Sequence, residues 1–169
     1  GTPLNDMWGM ITFNDNTGKR VSRWYYFDGR STMATGWVYD SKNGNWYYMN
    51  TTPGPDLGQM VLGWVKDEKT NKWYYMNDNT GILVTGWHKD PQDGRWYYLN
   101  SNGEMLVGWQ KIDGKWYYFN TNTPQNTYAW DANAFRWNYL NNSVRPFGSM
   151  YAGEKTPDGY NVDANGAWY

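Results

Sequence analysis

The stretch Gly86-Trp87-His88-Lys89-Asp90-Pro91-Gln92-Asp93-Gly94-Arg95-Trp96-Tyr97-Tyr98-Leu99-Asn100 decides the fold. A short run opened by Gly-Trp meets the turn signal Pro91-Gln92-Asp93-Gly94 and returns as an aromatic run, which reads as a β-hairpin. Trp-Tyr-Tyr recurs at Trp24, Trp46, Trp73, Trp96 and Trp116, with a degenerate copy Trp137-Asn138-Tyr139, at intervals of 22, 27, 23, 20 and 21 residues. Gly-Trp recurs at Gly36-Trp37, Gly63-Trp64, Gly86-Trp87 and Gly108-Trp109, and Ala129-Trp130 and Met150-Tyr151 extend that series as weakened copies. The step from a Gly-Trp tryptophan to the next Trp-Tyr-Tyr is nine residues three times (37 to 46, 64 to 73, 87 to 96) and seven twice (109 to 116, 130 to 137). Two markers that keep phase across five units define a repeat whose unit is a hairpin.

The copy Lys111-Ile112-Asp113-Gly114-Lys115-Trp116 carries Asp-Gly, the strongest two-residue hairpin signal. Asn and Gly loops such as Asn100-Ser101-Asn102-Gly103 join the hairpins, and a Met or Leu stands three residues before each Gly-Trp glycine: Met33, Met60, Leu83 and Met105. The 27-residue interval is explained by an insertion around Thr51-Thr52-Pro53-Gly54-Pro55, which places that tip on the surface. A lone hairpin is marginal in water, so units of this size must stack to bury their rings. The expected fold is an all-β solenoid of stacked β-hairpins, without a helix of consequence, since no segment shows an apolar 3.6-residue period of useful length.

Composition agrees with a molecule built on rings. Seven Leu, three Ile, eight Val and five Phe make only 23 of 169 residues, while 13 Trp and 16 Tyr supply the missing apolar mass. Such rings bury large areas yet keep one polar atom able to reach water or a partner. A net charge of −1, from intermixed acidic and basic residues, gives no field to attract nucleic acid. No stretch approaches the roughly 20 apolar residues of a membrane span. The start Gly1-Thr2-Pro3 lacks signal-peptide character, which points to a mature or trimmed chain, and the absence of Cys excludes disulfides and thiolate metal sites.

Side chains alternate along a strand, so Trp96 and Tyr98 share one face and Tyr97 takes the other. A Gly-Trp tryptophan lying across the hairpin on the first face sets two indoles side by side, and a tyrosine of the stacked neighbour adds a third wall. Such a box suits a trimethylammonium group, whose charge is spread over weakly hydrated methyls and attracted to ring faces. Each ring contributes on the order of 0.5 to 2 kcal/mol. Three walls give a roughly millimolar site, and repetition turns weak sites into firm attachment to a polymer.

The pattern Gly-Trp, short turn, Trp-Tyr-Tyr-(Leu/Met/Phe)-Asn, Gly-x-Met resembles the choline-binding repeats of streptococcal surface proteins, autolysins and phage lysins. It covers essentially the whole chain, most strongly from Gly36 to Asn120. The resemblance implies a left-handed β-solenoid, secreted to the bacterial cell surface and anchored to phosphocholine on teichoic or lipoteichoic acids of the wall. In that family a site takes two tryptophans from one repeat and a tyrosine from the next, with a Met nearby. Carried over, the sites are Trp37, Trp46 and Tyr75; Trp64, Trp73 and Tyr98; Trp87, Trp96 and Tyr118; and Trp109, Trp116 and Tyr139, with Met60, Leu83 and Met105 beside them. The choice of the second tyrosine of each pair rests on alternation. The middle tyrosines, Tyr25, Tyr47, Tyr74, Tyr97 and Tyr117, are then packing or solvent-face residues.

Both ends depart from the pattern. Trp8 stands sixteen residues before Trp24, so the set Trp8, Trp24 and Tyr48 is left out of the boxes. After Trp130 and Trp137 the next unit offers Val162 where a tyrosine is wanted, and that site reads as broken. The expected organisation is a divergent N-terminal part over 1–35, regular repeats over 36–126, and degenerate repeats with a C-terminal cap over 127–169, all in one solenoid. By resemblance the cap is a dimerising end.

Catalysis has no foothold. The single His88 follows Trp87 and points to the other face, at a position where other copies have Val38, Val65 and Gln110, and reads as surface. There is no Ser/His/Asp set, no carboxylate pair placed for acid and base work, no metal-ligand spacing and no phosphate-cradling loop, so neither metal nor cofactor is expected. Lys66, Lys89 and Lys111 recur two places after the Gly-Trp tryptophan, as a solvated face or as phosphate contacts. Two other readings keep the fold: a carbohydrate-binding repeat module of the kind found in glucosyltransferases and clostridial toxins, or the anchor of a longer wall hydrolase.

Overall fold

The computed structural model describes residues 7–15, 17–122, 128–131, 136–139 and 145–169. All regular structure among them is β: β1 (Met7–Asn14), β2 (Arg20–Phe27), β3 (Gly36–Asp40), β4 (Asn45–Met49), β5 (Gly63–Asp67), β6 (Lys72–Met76), β7 (Gly86–Lys89), β8 (Trp96–Leu99), β9 (Gly108–Ile112), β10 (Lys115–Phe119), β11 (Tyr128–Asp131) and β12 (Arg136–Tyr139). They order as six two-stranded sheets of consecutive strands, as the phased markers predict.

Turn chemistry sets each hairpin's register. In the nine-residue copies a buried aspartate closes the corner: the Oδ1 atoms of Asp40, Asp67 and Asp90 accept the backbone N–H groups of Lys42, Lys69 and Gln92 at 2.9, 2.9 and 2.8 Å. The seven-residue copy turns on Asp113 and Gly114, at φ 50° and 83°, the paired left-handed conformation of a tight hairpin. These turns put Trp37 opposite Tyr48, Trp87 opposite Tyr98 and Trp109 opposite Tyr118.

The chain forms two compact units: Gly1–Val65 with Met76–Leu83 and Trp130–Arg136, and Lys66–Tyr75 with Val84–Ala129 and Trp137–Tyr169. Backbone hydrogen bonds join successive hairpins within each. In the first unit Met60 N–H donates to the Trp24 carbonyl and Leu83 N–H to that of Trp46, both at 2.9 Å. In the second, Met105 donates to Trp73 and Met150 to Trp96 at 2.8 Å, and Trp168 to Trp116 at 2.9 Å. The first unit packs Val38, Tyr47 and Met49 with Trp8, Tyr26 and Met60, and the second packs Ile112, Phe119 and Met150 with Tyr98 and Tyr117.

The methionine series sits over glycines. A Cβ placed on Gly81, whose φ is +74°, would stand 2.6 Å from Met60 Sδ, and one on Gly58 meets Met33 at the same distance. Each methionine therefore occupies the space that the next loop's glycine leaves open. That contact makes Met60 a packing residue as well as a neighbour of the rings.

One loop frame recurs. Asn50 N–H donates to Gln59 O and Gly58 N–H to Asn50 O, both at 2.8 Å; Asn100 and Gly103 close the same ring with Glu104, and Asn120 and Gly148 close it with Ser149. Met150 accordingly bridges Phe119 as Met60 bridges Met49 and Met105 bridges Leu99. Met150-Tyr151 is thus not a weakened Gly-Trp copy but the end of a linking loop that runs from Asn120, with β11 and β12 inside it. The spacing 109, 116, 130, 137 imitates a continuing repeat, whereas the hydrogen bonds of Asn120 skip over it.

Candidate functional site

The hairpins β3–β4, β7–β8 and β9–β10 present two tryptophans on one face because the Gly-Trp residue lies opposite the third residue of Trp-Tyr-Tyr, one step diagonal from the first. Trp37 and Trp46 have ring centroids 6.4 Å apart at 84°, and Trp87 and Trp96 have theirs 6.2 Å apart at 87°. Both pairs meet at nearly right angles, two walls of a corner. Trp46, Trp96 and Trp116 are 40 to 45% exposed, so their faces remain open to a ligand.

The third wall differs from the sequence expectation. The ring beside Trp87 is Tyr117, with centroids 4.8 Å apart at 73°. Tyr118, the expected wall, is 9% exposed and lies 5.2 Å from Trp109 of its own hairpin. Alternation within a strand assigns faces correctly, but these neighbouring hairpins meet through opposite faces: the tryptophan face of one looks onto the middle-tyrosine face of the next, Trp8 onto Tyr47 and Trp87 onto Tyr117. Trp87, Trp96, Tyr117 and Met150 line a cavity of about 330 Å³ with Ala164 and Asn165.

Of the expected set Trp109, Trp116 and Tyr139, only the two tryptophan side chains lie among the described residues. Tyr139 lies on β12, and its side chain falls outside the described residues. The third ring is Tyr160, 5.8 Å from Trp109 at 88°. Tyr160 precedes Val162 by two, as Tyr117 precedes Phe119, and Val162 bridges Trp168 as Phe119 bridges Met150. Trp168 therefore stands where other copies have methionine or leucine. Trp109, Trp116, Tyr160, Trp168 and Asp158 line a cavity of about 360 Å³. Asp158 Oδ2 accepts the Trp109 indole N–H at 2.8 Å and Oδ1 accepts the Thr156 hydroxyl at 2.5 Å. These hydrogen bonds, that of Thr156 first, hold the Asp158 carboxyl below the usual carboxylate range.

The remaining predicted residues divide between the units. Trp37, Trp46 and a buried Trp64 belong to the first. Trp73, Tyr75 and Tyr98 belong to the second, where Tyr98 lies 5.1 Å from Trp87 and Tyr75 is 2% exposed. The Tyr75 ring is 3.8 Å from His88, which makes His88 a half-buried packing partner and not the surface position its sequence context suggests. Leu83 and Met105 hold their backbone bonds to Trp46 and Trp73.

The marker spacing leaves the N-terminal rings outside the boxes, but the first unit brings them together. Trp8 lies opposite Tyr26 in the register, 5.1 Å away at 72°, and 4.6 Å from Tyr47 at 69°. These values match Trp87 with Tyr98 and Tyr117. Trp24, 44% exposed, pairs with Met10 one step diagonal from Trp8, just as Trp96 pairs with Lys89. Asp40 Oδ2 fixes the Trp8 indole N–H at 2.9 Å. The sixteen-residue gap is simply a longer hairpin, with the eight-residue strands β1 and β2.

The family model described as choline-binding repeat matches residues 13–54 and 84–125, and a cell wall binding repeat matches residues 63–82. Among solved structures, CbpF in complex with ipratropium is 30% identical with a TM-score of 0.56, the match covering 96% of this chain and 48% of that one. Choline binding protein F from Streptococcus pneumoniae in the presence of a peptidoglycan analogue is 30% identical with a TM-score of 0.51, over 98% of this chain and 53% of that one. A further crystal form of that protein is 27% identical with a TM-score of 0.55, over 99% and 72%. The chain spans about half the length of the first two. No curated protein sequence gives a significant match.

Proposed function

The chain belongs to the family of choline-binding repeats, and we propose that its aromatic boxes take the trimethylammonium head of choline, attaching it to phosphocholine on teichoic or lipoteichoic acids of a bacterial cell wall. The observation that carries this reading is the box of Trp87, Trp96 and Tyr117, in which Trp96 and Tyr117 meet Trp87 at 87° and 73° around one cavity. Such a corner offers negative ring faces from three directions to a cation that needs no hydrogen bonds. Asn165 is the one amide side chain in its lining, whereas a sugar stacked on rings also needs partners for several hydroxyls. The geometry favours a quaternary ammonium over a glycan.

In this reading the chain acts by binding and not by catalysis, and the gain comes from repetition: boxes of roughly millimolar strength engaged together hold a polymer far more firmly than one does. A protein so held on the wall competes with choline-anchored hydrolases for the same groups, an effect measured by adding it to choline-bearing walls during lysis by an autolysin. The direct test is retention on a choline or tertiary-amine resin with release by free choline. Flow-through of folded protein, or saturation by dextran without competition from choline, overturns the reading.

A further inference from the structure

The boxes around Trp87 and Trp109 each hold two tryptophans and a tyrosine from further along the chain, and the two hairpins carry a lysine at the same register position. Lys89 lies across from Trp96 and Lys111 across from Trp116. They differ in two places. Met150 lines the first box where Trp168 lines the second, and the first is finished by neutral Ala164 and Asn165 where the second carries Asp158.

Asp158 does not reach the box by accident of a floppy loop. One oxygen accepts the Trp109 indole N–H and the other the hydroxyl of buried Thr156, whose own backbone N–H donates to Tyr160 O at 2.7 Å. The carboxylate is thus tied both to a wall of the cage and to the turn that presents Tyr160, another wall. Two hydrogen-bond donors favour its charged form. The fourth ring adds a further negative face, because Trp168 lies 6.4 Å from Tyr160 at 81°.

We propose that the C-terminal box of Trp109, Trp116, Tyr160, Trp168 and Asp158 is a charge-assisted cation site, which takes head groups of net positive charge, free choline or a small alkylammonium, ahead of zwitterionic phosphocholine. This deepens the choline-binding reading and rests on it. A unit charge beside the bound cation adds attraction worth roughly threefold to tenfold in affinity at a solvent-exposed site. The phosphate of phosphocholine cancels that advantage by bringing like charge to Asp158. Lys89 and Lys111 hold the same register position, so a difference in preference falls to the linings that differ, Asp158 and Trp168 against Met150, Ala164 and Asn165.

Titration of the intact chain with choline and then phosphocholine, followed through the indole N–H resonances of Trp96 and Trp116, separates the two boxes. The ratio of choline to phosphocholine affinity is expected to be roughly threefold to tenfold larger at Trp116 than at Trp96. Asp158→Asn keeps an acceptor for the Trp109 indole and removes the charge, so it should equalise the ratios and leave Trp96 unchanged, which also reports that the fold is intact. Equal ratios in the parent protein, or a Trp116 response that Asp158→Asn does not alter, overturn the inference while leaving the function standing. Absence of any choline response at both indoles overturns the function as well.

Discussion

Trp87 and Tyr117 stand 4.8 Å apart across two stacked hairpins, while Tyr118, the next residue, lies against Trp109 on the far face of its strand. Neighbouring tyrosines therefore have separate roles that substitution can tell apart. Tyr117→Ala removes one wall of the Trp87 box, and choline affinity there should fall roughly threefold to thirtyfold, one ring's share of cation attraction. Tyr118→Ala instead opens a cavity under a 9% exposed ring and should lower stability by about 3 kcal/mol. Indole resonances read the first effect and denaturant unfolding the second. The reverse assignment would restore Tyr118 as the wall.

The fit of methionine over glycine predicts a steric cost that φ alone does not explain. Gly94 and Gly81 have similar left-handed conformations, φ +69° and +74°, yet a Cβ on Gly94 meets nothing within 4 Å, while one on Gly81 meets Met60 Sδ at 2.6 Å. Gly94→Ala should cost about 1 kcal/mol for its backbone conformation. Gly81→Ala should cost about 1 kcal/mol more, and a cycle with Met60→Ala should recover that excess as a favourable coupling. Equal costs at the two glycines, by denaturant unfolding, would show that Met60 swings aside freely.

The sequence and the structure agree wherever the information is local to one hairpin. Asp113-Gly114 names its turn, the buried aspartates name theirs, and alternation puts Trp96 and Tyr98 on one face. What alternation does not contain is the contact between hairpins, because stacking opposes unlike faces and so exchanges Tyr118 for Tyr117. The C-terminal error has a different cause. Trp130 and Trp137 repeat a spacing, but the frame that closes each loop is Asn followed by Gly-x-Met, and Gly148-Ser149-Met150 completes the one begun at Asn120. Following that frame also finds Gly166-Ala167-Trp168, and with it Tyr160. Trp8 was hidden by a hairpin of unusual length, which moves the markers apart in sequence without changing their register.

The N-terminal rings offer a test by stoichiometry. Trp24 is 44% exposed, so Trp24→Ala should change stability by less than about 1 kcal/mol while removing one wall of the box that Trp8 and Tyr47 begin. Calorimetric titration should then count about one fewer choline site than in the parent chain. An unchanged count means that these rings only pack. Trp8→Ala is the less informative variant, because Trp8 also belongs to the core around Val38, Tyr47 and Met49.

Trp168 occupies a methionine position through its backbone, its N–H donating to Trp116 O at 2.9 Å as that of Met150 does to Trp96 O at 2.8 Å. The side chain is thus free to vary without disturbing the join. Trp168→Met converts the four-ring box into a counterpart of the Trp87 box, and because Trp168 is half exposed the change should leave the unfolding midpoint nearly unaltered. Choline affinity read at Trp116 should fall by roughly twofold to fivefold, the contribution of one exposed ring. The variant keeps Asp158, so the preference for choline over phosphocholine should survive even as both affinities drop. Loss of that preference in Trp168→Met would assign the selectivity to the fourth ring and not to the carboxylate.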